Sequence, residues 1–135
     1  MDDCLFCKIA KGIIPCDKVY EDSDTFAFLD INPVSEGHTL VITKKHYKNI
    51  MEIPDEELSK LIVSVKKVSK AVEQAMNADG INIVQNNRES AGQAVPHIHF
   101  HIIPRHESDG ISICNDRAKH PRNSKILADE IIKIR

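Results

Sequence analysis

The sequence has no tryptophan, few other aromatic residues and no long apolar run. Aromatic residues make up 4% of the 135 positions, which makes the chain a poor candidate for stacking single-stranded nucleic acid. Its formal net charge of -2 also argues against general nucleic-acid binding, because such domains are strongly basic. No apolar run approaches the roughly 18 residues that a membrane-spanning helix needs. We therefore expect neither a nucleic-acid partner nor a membrane partner.

The first residues also lack the pattern of a secretory leader. Met1-Asp2-Asp3-Cys4 has neither the basic start nor the apolar stretch of a signal peptide, so a cytoplasmic location is expected. In that compartment the four cysteines should be reduced thiols or metal ligands rather than disulfides. A length of 135 residues with 41% hydrophobic residues predicts a single domain over 1–135.

Hydrophobic spacing predicts an α+β fold with one long helix and short flanking helices. Asp3 is expected to cap a short helix that ends at Ala10, and the long helix should have Pro54 at its first position. The five predicted strands and the closing helix are Lys18–Glu21, Thr25–Asp30, His38–Thr43, Ile81–Gln85, Val95–Ile103 and Ser124–Ile134. Such a pattern is typical of helices packed on one face of a mainly antiparallel, five-stranded sheet.

Three of the seven histidines stand at alternate positions, His97, His99 and His101. On one strand their side chains would share a face, with neighbours about 6.6–6.8 Å apart. A single reacting group fits between imidazoles at that spacing, and neutral imidazole suits nucleophilic or acid-base chemistry near neutral pH. Three histidines on one strand cannot all reach one tetrahedral zinc ion, so a catalytic metal is the weaker alternative.

The pattern His-apolar-His-apolar-His-apolar-apolar over His97–Ile103 resembles the signature of the histidine triad family of nucleotide-binding proteins. The chain looks most similar to the Hint-type branch, and the similarity covers residues 4–105. The segments that carry it are Cys4–Ile9, Phe28–Pro33, Gly37–Ile42 and Gly92–Pro96. The resemblance implies a five-stranded antiparallel sheet, a purine nucleotide ligand and a homodimer paired through the long helix and a strand. Residues 106–135 match nothing position by position and form a tail with a predicted helix.

The resemblance also implies nucleophilic catalysis at the α-phosphorus of a nucleoside phosphate. The middle triad histidine, His99, would attack the phosphorus, and water would then release the nucleoside monophosphate from a nucleotidyl-histidine intermediate. His101 and His38 match the supporting histidines that contact the phosphate or assist proton movement. His97 completes the set of catalytic candidates.

Further positions match the family's nucleotide contacts. Asp30 aligns with the acid that binds the ribose hydroxyls. The apolar slot for the base corresponds to Leu5, Phe6, Ile9, Phe28 and Ile31. The phosphate-contacting turn corresponds to Gly92, Gln93, Ala94 and Val95, with Asn86 as its side-chain partner. Ala94 stands where the animal Hint branch has serine, so the backbone amide remains but the hydroxyl near the leaving group is missing.

A structural zinc ion is the only cofactor that the resemblance implies, and no organic cofactor is expected. Its ligands would be Cys4, Cys7, His46 and His97, a closed tetrahedral set of thiolates and imidazoles. The alternative is that Cys4 and Cys7 are small buried apolar residues.

Three functions of different classes remain open at this point. The leading hypothesis is a nucleotide hydrolase that acts on purine nucleoside phosphoramidates of the AMP-lysine or AMP-NH2 type. Cleavage of dinucleoside polyphosphates, of the Ap4A type, would use the same residues. A non-catalytic nucleotide-binding or regulatory module would bind AMP with little turnover. His101 argues against the branch that transfers nucleotides to sugar phosphates, because that branch has glutamine at this position.

Overall fold

A computed structural model describes residues 3–113 and 125–134, and these residues form five strands and three α-helices. In chain order the elements are α1 (Leu5–Ala10), β1 (Lys18–Glu21), β2 (Thr25–Leu29), β3 (Thr39–Thr43), α2 (Asp55–Ala75), β4 (Gly80–Gln85), β5 (His99–Arg105) and α3 (Lys125–Ile134). A single 3₁₀ turn, Glu89–Ala91, lies between β4 and β5. Each predicted element is therefore present, β1 with the predicted bounds and the others with one or both ends shifted. Ser124 of the predicted closing helix lies outside the described residues.

The strands form one sheet in the order β1-β2-β3-β5-β4, and all four pairings are antiparallel. In the register between β3 and β5, Ile42 lies opposite His99 and Leu40 lies opposite His101. The predicted α+β fold with a five-stranded antiparallel sheet is thus confirmed. None of the helices in the described ranges is long and apolar enough to span a bilayer.

The helices pack on both faces of the sheet rather than on one, which corrects the sequence-based expectation. The core between the sheet and α2 contains Ala27, Val41, Leu61, Val65, Val68, Val72, Ile98, Phe100 and Ile102. The core between the sheet and α1 contains Phe6, Ile9, Phe26, Phe28, Leu40 and Ile42. The physical reason is that successive residues of β2 and β3 point to opposite faces, and both faces are apolar there.

The last strand starts later than predicted, and this changes the place of the first triad histidine. A strand over Val95–Ile103 is wrong at its start, because Pro96 has no amide hydrogen for a β-ladder. The His97 amide instead donates to the Val95 carbonyl at 2.8 Å and closes a tight turn. β5 begins at His99, so His97 does not share a strand face with the other two triad histidines.

The first helix is capped by Cys4 rather than by Asp3. Cys4 has an extended backbone, and its Sγ accepts a hydrogen bond from the Cys7 amide at 3.4 Å. The Cys4 sulfur therefore caps the helix and is also a predicted metal ligand. Pro54 likewise is the N-cap residue of α2 and not its first helical residue.

Candidate active site

A cavity of about 380 Å³ opens between α1, the loop after β2 and the start of β5. We call it the triad cavity, because His99 and His101 lie in its wall. The other predicted nucleotide-binding residues that line it are Leu5, Phe6, Ile9, Phe28, Asp30, Ile31, Ala94 and Val95. The remaining three, Asn86, Gly92 and Gln93, lie outside its wall in the loop that precedes Ala94.

Sequence reasoning missed one wall of this cavity. It is formed by Ile14, Pro15 and Cys16, which follow α1, together with Leu40 of β3. Leu40 was hidden by the apolar character of the whole strand. The run Ile13-Ile14-Pro15 was the available signal, because apolar residues in a short connection need a surface to cover.

One ring nitrogen of His99 is hydrogen-bonded, and the other has no hydrogen-bond partner among the described residues. Its Nδ1 lies 2.7 Å from the His97 carbonyl oxygen, which can only accept, so Nδ1 carries the proton and Nε2 carries the lone pair. Burial lowers the pKa of His99 below its ordinary value of 6.5, against the opposing effect of that hydrogen bond. The imidazole is therefore neutral near pH 7, and its unprotonated nitrogen is Nε2.

A chain of hydrogen bonds fixes the protons of the two supporting histidines. The Val34 amide donates to Nδ1 of His38 at 3.0 Å, so a neutral His38 must carry its proton on Nε2. That nitrogen lies 3.0 Å from Nδ1 of His101 and donates to it. His101 consequently carries its own proton on Nε2. Burial lowers the pKa of His101 to about 4, and nearby His99 and His38 add to this effect.

Asp30 lies beside this pair and gives the cavity a negative charge. Its Oδ1 accepts the Asn32 amide at 2.9 Å, and its Oδ2 lies 3.6 Å from Nε2 of His38. Asp30, His38 and His101 also lie close enough to share a metal ion. However, the Val34 amide occupies Nδ1 of His38, so Nε2 must keep its proton and cannot be a ligand. The three groups form a proton-bearing network and not a metal centre.

Two amides of the loop before β5 are unpaired among the described residues, and they belong to residues that line the cavity. The amides of Gly92 and Gln93 donate to backbone carbonyls within the loop, at 2.9 and 3.1 Å. The amides of Ala94 and Val95 have no hydrogen-bond partner within residues 3–113 and 125–134, and both residues line the cavity. Of the four residues in the predicted phosphate-contacting turn, these two have amides available for a ligand.

The side chains of this loop hold its shape. The buried Gln93 accepts the Arg88 amide at 2.6 Å and donates to the carbonyls of Lys48 and Val95 at 2.6 and 3.0 Å. Gly92 has a φ of +92°, where side chains are strained, and a Cβ there would lie 3.6 Å from Nδ2 of Asn86. Gln93 and Gly92 therefore shape the loop that contains these two amides, and Asn86 lies beside Gly92.

The four predicted metal ligands come together at the N-terminal end of α1. We call Cys4, Cys7, His46 and His97 the Cys–His cluster, and their ligand atoms all lie within 4.8 Å of one another. Nδ1 of His97 lies 3.3 Å from the Cys4 sulfur and 3.5 Å from the Cys7 sulfur, and Nδ1 of His46 lies 3.5 Å from the Cys7 sulfur. Nε2 of His97 donates to the Thr43 carbonyl at 2.7 Å, which leaves its Nδ1 unprotonated.

These distances fit a tetrahedral metal site. Metal–sulfur bonds of about 2.3 Å and metal–nitrogen bonds of about 2.0–2.1 Å place ligand sulfur and nitrogen atoms roughly 3.6 Å apart in a tetrahedron. Burial, together with the hydrogen bond and the charge of Cys4, raises the pKa of the Cys7 thiol to about 11. Burial lowers the pKa of His97 to about 4. A bound cation would reverse the first effect and stabilise the thiolates. The cluster could hold a metal ion.

The chain is similar in sequence to known proteins of one family. The HIT domain matches residues 11–108. An uncharacterized HIT-like protein of Methanocaldococcus jannaschii is 48% identical over 130 residues, which cover 96% of each chain. An adenosine 5′-monophosphoramidase of Schizosaccharomyces pombe is 43% identical over 130 residues, which cover 95% of each chain.

Solved structures show the same fold. A HIT family protein of Bacillus anthracis superimposes with a TM-score of 0.86 at 41% identity, over 98% of this chain and 95% of that one. A zinc-bound histidine triad family protein of Mycobacterium smegmatis has a TM-score of 0.79 at 36% identity, over 83% of this chain and 81% of that one. The chain therefore belongs to the histidine triad, or HIT, domain family and to its Hint-like branch.

Proposed function

We propose that the protein is a nucleotide hydrolase that cleaves purine nucleoside phosphoramidates at the α-phosphate and releases the nucleoside monophosphate. The observation that carries this proposal is the 2.7 Å hydrogen bond from Nδ1 of His99 to the His97 carbonyl. It leaves the Nε2 lone pair free on a residue that lines the triad cavity. The adenosine 5′-monophosphoramidase of S. pombe, similar over 95% of both chains, supports the substrate class.

The shape and charge of the triad cavity suit a nucleoside. Its apolar wall has room for a planar purine and is formed by Leu5, Phe6, Ile9, Phe28 and Ile31. Asp30 offers carboxylate lone pairs beyond the one that accepts the Asn32 amide, and ribose hydroxyls can donate to them. A nucleoside bound in this way would place its 5′ phosphate toward His99 and His101.

The chemical step is a double displacement. The Nε2 lone pair of His99 attacks the α-phosphorus while the phosphorus–nitrogen bond of the substrate breaks, and the nitrogen takes up a proton from solvent and leaves as an amine. Water then attacks the same phosphorus and gives up a proton, which returns the lone pair to His99 and releases the monophosphate. Fixed donors are needed where negative charge develops on the phosphate oxygens. The proposed donors are the amides of Ala94 and Val95 and the Nε2 hydrogen of His101.

We also propose that the Cys–His cluster holds a structural zinc ion. Two thiolates and two imidazoles are the donor set that zinc prefers, and four protein ligands leave no open position for substrate. The similarity to a zinc-bound histidine triad protein of M. smegmatis supports this choice of metal. Bound zinc would link Cys4 and Cys7 of the α1 region to His46, which follows β3. The phosphate chemistry would remain with His99.

The test of the function is hydrolysis of adenosine 5′-phosphoramidate, followed by chromatography of AMP. His99→Ala should reduce kcat/KM by roughly 10³-fold or more, because the nucleophile is lost. His106→Ala is the matched control, because His106 lies outside the cavity and its side chain contacts the Met76 carbonyl just after α2. Full turnover by His99→Ala would refute the role of His99.

The same assay separates the alternatives that share these residues. Comparing kcat/KM for adenosine 5′-phosphoramidate and for diadenosine tetraphosphate distinguishes the two hydrolase functions. Intact mass spectrometry of rapidly quenched reactions should detect AMP on His99. Tight AMP binding with neither turnover nor a covalent adduct would indicate a nucleotide-binding module instead.

We propose, finally, that the protein is a homodimer joined through α2 and β4. β4 is a terminal strand of the sheet, so one of its edges is unpaired in the part of the chain that the structure describes. A groove between α2 and β4 is lined by Ile62, Val65, Ile81 and Ile83 among others. Ile62 and Ile83 are 45% and 49% exposed. An apolar groove beside an open strand edge is a typical surface for self-association.

A further inference from the structure

Helix α1 belongs to two sites at once. Cys4 and Cys7 at its N-terminal end are members of the Cys–His cluster. Leu5, Phe6 and Ile9, which alternate with them along the same six-residue helix, line the triad cavity. An isolated helix of this length is unstable in water, so its position depends on the groups that attach it to the sheet.

His97 also belongs to both sites. Its Nδ1 faces the two cysteine sulfurs at 3.3 and 3.5 Å, and its carbonyl accepts the Nδ1 hydrogen of His99 at 2.7 Å. Its Nε2 donates to the Thr43 carbonyl, so both ends of the imidazole are engaged. The Phe6 ring packs edge-on against both imidazoles, with ring centroids 5.9 Å from His97 and 5.0 Å from His99.

We propose that metal binding at the Cys–His cluster and nucleotide binding in the triad cavity are thermodynamically coupled through α1 and His97, so that each tightens the other. This inference rests on the proposed nucleotide site. Metal–ligand bonds would join α1 to His46 and His97 and so hold Leu5 and Phe6 where they form the apolar wall. Metal-free protein keeps the packing of Phe6 and Ile9 and the contacts of 3.3–3.5 Å between the cysteine sulfurs and the imidazoles. These contacts are weaker than metal–ligand bonds, so the wall is complete in fewer molecules and the apparent affinity falls.

Coupling of this kind must be reciprocal. If metal strengthens nucleotide binding by a given factor, nucleotide strengthens metal binding by the same factor. We expect a factor of at least about 5, the lower end of typical coupling between two sites. The factor measured from AMP binding and the factor measured from zinc binding must therefore be equal at the same pH.

The experiment uses wild-type protein and the non-hydrolysed ligand AMP. Calorimetry gives the Kd of AMP for zinc-loaded protein and for protein stripped by a chelator. Competition with a chromophoric chelator gives the Kd of zinc with and without saturating AMP. His46→Ala, which removes a ligand that lies on neither α1 nor β5, should reproduce the weak AMP binding of stripped protein. Lys45→Ala is the matched control, because Lys45 is exposed and lies outside both sites.

Amide hydrogen exchange tests whether the coupling acts through α1 alone. On metal removal, amides of α1 should lose protection while those of α2, on the opposite face of the sheet, keep it. Equal AMP affinity with and without zinc would overturn the proposal, and so would a uniform loss of protection in both helices. Absence of AMP binding in both forms would instead contradict the proposed function, and the coupling with it.

Discussion

At the residue scale, two backbone groups fix the proton positions of His38, His99 and His101. The Val34 amide can only donate, so it fixes Nδ1 of His38 as an acceptor, and the tautomers of His38 and His101 follow in turn. The equivalent group for His99 is the His97 carbonyl, which can only accept. His38 and His101 therefore share one tautomer, with the proton on Nε2, and His99 has the other, with the proton on Nδ1, for reasons that lie in the backbone.

The pH dependence of the reaction should reflect the environment of His99. Because burial lowers its pKa below 6.5, the neutral nucleophile persists when the pH falls through the ordinary range of imidazole. We expect kcat/KM measured between about pH 4.5 and 8 to stay level at pH 6.5 and to fall only at lower pH. The measurement is the initial rate of AMP release in buffers of constant ionic strength. An acidic limb centred at or above pH 6.5 would contradict this environment.

Sequence alone could identify these histidines but not their neighbours. The alternation of His97, His99 and His101 is local and carries the family resemblance. Val34 lies in a loop four residues before His38, and nothing in its side chain signals that its amide matters. Cys16 in the cavity wall was invisible for a related reason, because a lone thiol has no pattern.

At the element scale, the loop before β5 depends on one buried amide side chain. Gln93 satisfies the Arg88 amide and the carbonyls of Lys48 and Val95. This inward role could not be predicted from sequence, where Gln93 was grouped with the phosphate-contacting turn. The start of β5 was also missed, because the alternating sequence pattern continues through Pro96 while the pairing of the strands begins only at His99.

Replacing Gln93 should therefore destabilise the protein even without a ligand. We expect Gln93→Met, which keeps the size of the side chain, to reduce the free energy of unfolding by about 1–3 kcal/mol, since buried backbone groups lose their partners. Urea denaturation followed by circular dichroism measures the change. Gln74→Met on the exposed side of α2 is the matched control and should stay within about 0.5 kcal/mol. Equal stability of the two variants would show that water replaces the Gln93 contacts.

At the scale of the whole molecule, the sheet has two different edges. β1 is a short strand with an irregular register between Lys18 and Tyr20, a feature that discourages pairing with another chain. β4 pairs regularly along its whole length with β5, and its outer edge lies beside the apolar groove of α2. The fold class was predictable because it depends on many periodic residues, whereas this difference between edges depends on strand order.

The proposed dimer can be tested at these two edges. Wild-type protein should scatter light as a particle of twice the 15.2 kDa chain mass. Ile83→Glu on β4 should shift the mass toward a single chain, because a charge would be buried in the interface. Val19→Glu on β1 is the matched control, since Val19 is similarly exposed at 41%, and it should remain dimeric. A wild-type mass of one chain would refute the proposal.

The tight turn at Val95–His97 has a consequence for how this motif can change. On a regular strand the three histidines would all lie on one face. The turn instead places His97 before the start of β5, apart from His99 and His101. An insertion or deletion between Pro96 and His99 would rotate the first histidine relative to the other two, and both sites would be damaged by one event. A point substitution of His99 or His101, in contrast, leaves all four members of the Cys–His cluster in place. The spacing of this short segment is therefore more constrained than the identity of most of its side chains.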